Sequence, residues 1–137
     1  MKFKYQRIPV ASNNAFPNRK SIIKPLIPIR LRYQKNFVDI YALIDSGADD
    51  CLFNAEIGAK LGIDITSGEE NSYRGITGQS TIAYFHKIEI EVGGWKHPCY
   101  AGFCYDTPLS ALGQDGFFNL FKIQFNYSKS EIEIKNK

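Results

Sequence analysis

Ala42-Leu43-Ile44-Asp45-Ser46-Gly47-Ala48-Asp49-Asp50 is the stretch on which the reading of this chain turns. The run Tyr41-Ala42-Leu43-Ile44 is apolar at successive positions, so both faces of a strand there would be covered. Phe37–Ile44 therefore predicts a central strand that delivers Asp45 into a turn. Gly47 lets the backbone approach another group closely, and the Ser46 hydroxyl can bond a carbonyl or a second chain. On these residues alone two readings stand: an Asx-turn closing a strand, or a carboxylate placed for chemistry.

Outward from this point the chain reads as short alternating segments. Pro25–Tyr33 alternates apolar and basic side chains, as an edge strand carrying prolines would, and Gln34-Lys35-Asn36 turns it into Phe37–Ile44. Asn54 to Leu61, with Gly62 after it, has an N-cap residue, a helical interior and a terminating glycine. Glu69–Arg74 and Gln79–Val92 flank Gly75-Ile76-Thr77-Gly78 as the arms of a hairpin. In the second arm Ile82, Tyr84, His86, Ile88, Ile90 and Val92 fall on one face at period two, with His86 read as a satisfied core histidine. Trp95–Tyr105 predicts a further strand, Gly116–Leu120 a second short helix, and Lys122–Tyr127 with Glu131–Lys135 a terminal hairpin. Many strands, two short helices and no repeats predict an all-β barrel or sandwich.

At 137 residues the chain fits one domain. No apolar run is long enough for a membrane-spanning helix, and the basic start has no apolar run behind it, so a cytoplasmic protein is expected. Charge is unevenly spread. Nine of the 17 Lys and Arg lie within residues 1–35, which hold no acid, whereas residues 36–137 carry 8 basic and 14 acidic groups, a net of −6. Residues 1–23 lack periodicity and read as a basic extension, with residues 24–137 as the folded part. Without interleaved aromatics the basic arm gives no expectation of nucleic-acid binding. Cys51, Cys99 and Cys104 are odd in number, against a disulfide scaffold, and His97-Pro98-Cys99 with Cys104 fits no closed zinc spacing. No metal or other cofactor is expected.

Downstream of the Asp45 turn lies Ala111-Leu112-Gly113-Gln114-Asp115, an apolar pair, a glycine and a polar pair, 68 residues from Asp45 to Gly113. Together with the Gly75–Gly78 hairpin, the two motifs resemble the retropepsin family, the retroviral-type aspartic proteases, over about residues 24–137. The resemblance implies an all-β acid-protease barrel of the single-lobe form with a glycine-tipped flap. It implies an aspartic endopeptidase with Asp45, Ser46 and Gly47 at the catalytic turn. Ala48, Asp49, Asp50, Gly75, Ile76, Thr77 and Gly78 would meet an extended peptide, and Tyr73 would brace the hairpin. Leu112 and Gly113 would pack beneath the turn. Because the chain holds one such motif, the second carboxylate has to come from another copy, which implies a homodimer acting on a peptide or protein substrate, with the terminal hairpin as an interface sheet. Gln114 departs from the family, which has arginine there to pair with the acid that Asp49 matches. Either Arg7, Arg30 or Arg74 serves Asp49 instead, or the dimer is weaker. A silent peptide-binding module of the same fold is the alternative.

Overall fold

A computed structural model describes residues 1–74 and 78–137. Twelve strands are formed among them: β1 (Lys2–Lys4), β2 (Gln6–Pro9), β3 (Ser21–Lys24), β4 (Leu26–Tyr33), β5 (Asn36–Ile44), β6 (Leu52–Asn54), β7 (Glu69–Arg74), β8 (Ser80–Val92), β9 (Trp95–Cys104), β10 (Ala111–Leu112), β11 (Phe121–Asn126) and β12 (Glu131–Asn136). One helix, α1 (Ala55–Lys60), and a 3-10 turn at Ile65–Ser67 complete the set. No helix among the described residues is long and apolar enough to cross a membrane.

The main sheet runs β4-β5-β10-β6-β9-β8-β7, and β4 also pairs with β8, which closes it into a barrel. Closure explains how β4 keeps a proline. Pro28 sits opposite Tyr41 of β5, while β8 reaches β4 only from Arg30 to Arg32, so the missing N–H is not needed. Ile27, Ile29 and Leu31 alternate inward from β4 and meet Ala42, Ile44, Phe53, Ile90, Val92 and Phe103 in the core. Arg30 and Arg32, on the other face, pair with Asp39 and with Glu89 and Glu91.

The long strand β8 serves two clusters. Ile88, Ile90 and Val92 face the main core, with Tyr84 packed against it, and the His86 ring lies 6.0 Å from the ring of Phe103. His86 Nε2 is hydrogen-bonded to the Ile65 carbonyl at 2.8 Å, so its polar edge is partnered. On the opposite face Ala83 and Phe85 are buried with Cys104, under Leu52 and Tyr73. Ile82, expected on the inward face, is 44% exposed, because the core does not extend beneath the outer end of the hairpin.

Helix α1 begins as its sequence requires: the Asn54 side chain accepts from Glu56 N at 2.8 Å. Gly62 follows it at φ +85°, where a Cβ would be strained. The second helix expected over Gly116–Leu120 does not form. Gly116 takes φ +99°, and Phe118 N and Asn119 N reach back five residues, to Gly113 O and Gln114 O, in a set of turns. The segment read as a basic extension is ordered as strands. β1 pairs antiparallel with β12, and β2 pairs with β3 across the turn at 13–19. Main-chain bonding to an available strand edge orders a segment that has little periodicity of its own. The terminal hairpin forms as read, with Ile132 and Ile134 fully buried.

Candidate active site

Asp45 follows the last residue of β5 and is held by main-chain bonds on both sides. Its N–H donates to Leu112 O at 3.0 Å, and its own carbonyl accepts from Ala48 N at 3.1 Å. Its Oδ1 accepts from Gly47 N at 2.9 Å, which fixes the carboxylate over the turn. This is an Asx-type turn, so the bland reading of the motif is part of the geometry and not a rival to it. Asp45 is half-buried, whereas Ser46, Gly47 and Asp49 are exposed.

The turn is clamped from below by Ala111–Asp115. β10 lies parallel to β5, with Ala111 opposite Leu43 and Leu112 opposite Ile44, and antiparallel to β6 at Leu52. Gln114 N donates to Ala48 O at 2.8 Å and Asp115 N to Asp49 O at 2.9 Å. Gly113 is required where it stands: a Cβ there would lie 2.3 Å from Asp50 O and 2.7 Å from Ala48 O. The two motifs, 68 residues apart in sequence, thus build one structure.

Gln114 takes a role that the sequence left open. Its side-chain amide donates to Ser46 O at 2.8 Å, bracing the turn by a neutral bond within the chain. Of the basic groups considered for Asp49, Arg30 is committed to Asp39 through two bonds at 2.7 and 2.9 Å, and Arg7 donates to Ser21 Oγ. Among the described residues no ion pair is formed by Asp49.

Asp50 is bound to the hairpin. Its Oδ2 accepts from the hydroxyl of Tyr73, and Asn71 Nδ2 donates to that hydroxyl at 3.1 Å. Burial, and then the bond to Asp50, push the Tyr73 phenol well above its ordinary range, so it stays a donor. Beside this bond is a cavity of about 220 Å³ lined by Asp50, Glu69, Glu70, Asn71, Phe85 and Tyr100. Gly78, at φ +82°, is described at the edge of the hairpin tip. Gly75, Ile76 and Thr77 lie outside the described residues.

In the sequence, one segment beside the strand end carries no signal of its place. Residues 105–110 carry Tyr105 at 62% and Leu109 at 46% exposure, and Ser110 O accepts from Leu43 N at 2.7 Å. Asn54, besides capping α1, donates to Thr107 O at 2.7 Å, and Thr81 Oγ1 lies 3.5 Å from Asp106 Oδ2. Cys51 and Cys99 are buried free thiols, and the neighbouring Cys51 thiol together with burial pushes the Cys99 thiol upward. Among the described residues no group of three or more His, Cys, Asp or Glu is arranged to hold a metal.

Known structures share this fold. A retropepsin-like aspartic protease from Rickettsia conorii is similar at a TM-score of 0.60 and 22% identity, covering 95% of this chain and 98% of its own. The fold is retropepsin-like. EIAV protease, complexed with the inhibitor HBY-793, is similar at a TM-score of 0.53 and 17% identity, over 66% of this chain and 82% of its own. No family model matches the sequence, and no curated protein matches it.

Proposed function

We propose that the chain is an aspartic endopeptidase that acts as a homodimer, with one Asp45 from each copy. The observation that carries this reading is the held carboxylate: Asp45 stands on a rigid strand end, its Oδ1 fixed by Gly47 N, over the Gly113 clamp. Peptide hydrolysis by carboxylates needs two of them sharing one proton. One takes a proton from a water, and the other donates to the scissile carbonyl oxygen. Carboxylates brought within hydrogen-bond distance cannot both stay charged, which produces that sharing without a cofactor. The chain supplies one such turn, so a two-fold axis has to supply the other.

In this reading Ser46 and Gly47 lock the two turns across the axis. Ala48 and Asp49 offer main-chain and carboxylate partners to an extended peptide, which binds as an added strand, with Asp50 nearby. The β7–β8 hairpin lies to one side of the peptide and residues 105–110 to the other. The exposed Ser46 and Asp49, free of ion pairing among the described residues, are available for such contacts.

Mixing tests the shared site. Wild-type chains combined with increasing Asp45→Asn chains should lose cleavage of a peptide library faster than simple dilution explains, because mixed dimers hold one carboxylate. Loss in strict proportion to dilution would contradict the shared site. A second reading, a peptide-binding module without turnover, is favoured by Gln114, which supplies no positive charge to Asp49. It predicts peptide binding that persists in Asp45→Asn and yields no products from either form.

A further inference from the structure

Outward of Tyr84, where the β8–β9 ladder ends, the side-chain hydrogen bonds that tie the β7–β8 hairpin to the body among the described residues come from one rung. Tyr73 and Thr81 are register partners, so their side chains stand on the same face of the hairpin. Tyr73 donates to Asp50, in the turn that follows Asp45, while Thr81 approaches Asp106, in the segment whose Ser110 carbonyl bonds Leu43 beside the catalytic strand end. One rung therefore reaches both segments that feed Asp45. The Tyr73 bond is the firmer of the two; the Thr81 contact, at 3.5 Å, is at the limit of a hydrogen bond.

The Tyr73 hydroxyl is fully used. It accepts from Asn71 Nδ2 and gives its one proton to Asp50, so the order Asn71 to Tyr73 to Asp50 runs in a fixed direction. The ring is seated separately, against Phe85 at 6.3 Å between centroids and against the small cluster of Ala83, Cys104 and Leu52. Packing and hydrogen bond can thus be removed independently, since Tyr73→Phe leaves the ring in place and takes only the oxygen.

We propose that Tyr73 is a positioning residue: through Asp50 it docks the hairpin against the Asp45 turn before substrate arrives. An extended peptide then enters a site whose hairpin wall is already in place, and binding does not have to order it. Tyr73 touches no reacting atom, so its effect falls on binding and not on the chemical step. The kinetic half of this inference rests on the endopeptidase reading; the docking half does not.

The test is a double-mutant cycle of Tyr73→Phe and Asp50→Ala, read first by amide hydrogen exchange along β7 and Ser80–Ala83 without substrate. Each single variant should speed exchange there about ten-fold, the order expected for a bond to a carboxylate, and the double variant should add nothing. Unchanged exchange in Tyr73→Phe, or effects that multiply in the double variant, would overturn the docking role. Peptide cleavage is read second. Tyr73→Phe should raise KM about ten-fold with kcat within about two-fold, and Asp50→Asn, which keeps an acceptor, should lie nearer wild type than Asp50→Ala. A fall in kcat at unchanged KM would overturn the positioning role. A wild type that cleaves nothing but shows the coupled exchange would uphold docking and overturn the endopeptidase reading alone.

Discussion

Gly113→Ala puts the clamp beneath the Asp45 turn to a direct test. The added methyl would lie 2.3 Å from Asp50 O and 2.7 Å from Ala48 O, both main-chain atoms that cannot rotate away. Ordinary contact needs roughly 3.4 Å, so the turn has to move by about 1 Å. Overpacking of this kind costs about 1–3 kcal/mol. The same movement stretches the bonds from Gln114 N to Ala48 O and from Asp115 N to Asp49 O, each worth about 1 kcal/mol. The expected loss is therefore about 2–4 kcal/mol, or roughly 10 °C in Tm for a chain of this size. Gly94→Ala is the control, because a Cβ there meets nothing within 4 Å and only its φ of +89° opposes the change. That strain costs about 1–2 kcal/mol. Urea unfolding of the three proteins gives the stabilities, and cleavage assays on the folded fraction give the effect on the site. Gly113→Ala within about 0.5 kcal/mol of wild type, with unchanged activity, would refute the clamp.

Three further outcomes follow from particular contacts. Asn54→Ala removes both the α1 cap and the bond to Thr107 O, and should cost about 1–2 kcal/mol by thermal unfolding; a change within error would show that neither bond matters. Gln114→Ala should cost about 0.5–1 kcal/mol in urea unfolding, since its bond to Ser46 O is exposed, and a loss several times larger would point to a role beyond bracing the turn. Tyr73 binds its proton more tightly in the folded chain than in the unfolded one, whose phenols titrate near 10.0. Its contribution is thus complete below pH 10 and is lost as pH rises beyond it, so wild type should lose stability above about pH 10 more steeply than Tyr73→Phe. Parallel alkaline profiles in the two proteins would contradict this.

The barrel was legible because its strands obey strong local rules. The run Tyr41–Ile44 placed β5 inside the sheet, but Tyr41 is 57% exposed, so its outer face is not covered as expected. Apolar alternation over Pro25–Tyr33, the Asn54 cap and the terminal hairpin are all patterns within a few residues. The Asp45 turn was legible for the same reason, and Gly113 became so once it was set beside that turn. What escaped depends on partners distant in sequence. Residues 2–9 carry little periodicity, and their order comes from β12 and β3, which no local window contains. Over Gly116–Leu120 the chain turns instead of forming a helix: Gly116 takes a positive φ and packs against Cys51 and Cys99, partners that no local window contains. The inward face of β8 changes meaning along its length because a second cluster covers the reverse side near Phe85. Gln114 was read for the charge it lacks, and its bond to Ser46 O depends on a loop geometry that only the folded chain defines.

If Asp45 is the catalytic carboxylate, cleavage of a diverse peptide library between about pH 4 and 7, where a shared-proton carboxylate pair works, should separate wild type from Asp45→Asn. Products should come from the wild type alone, with Asp45→Asn folded and of unchanged oligomeric state. Equal cleavage by a pure Asp45→Asn preparation would contradict that role.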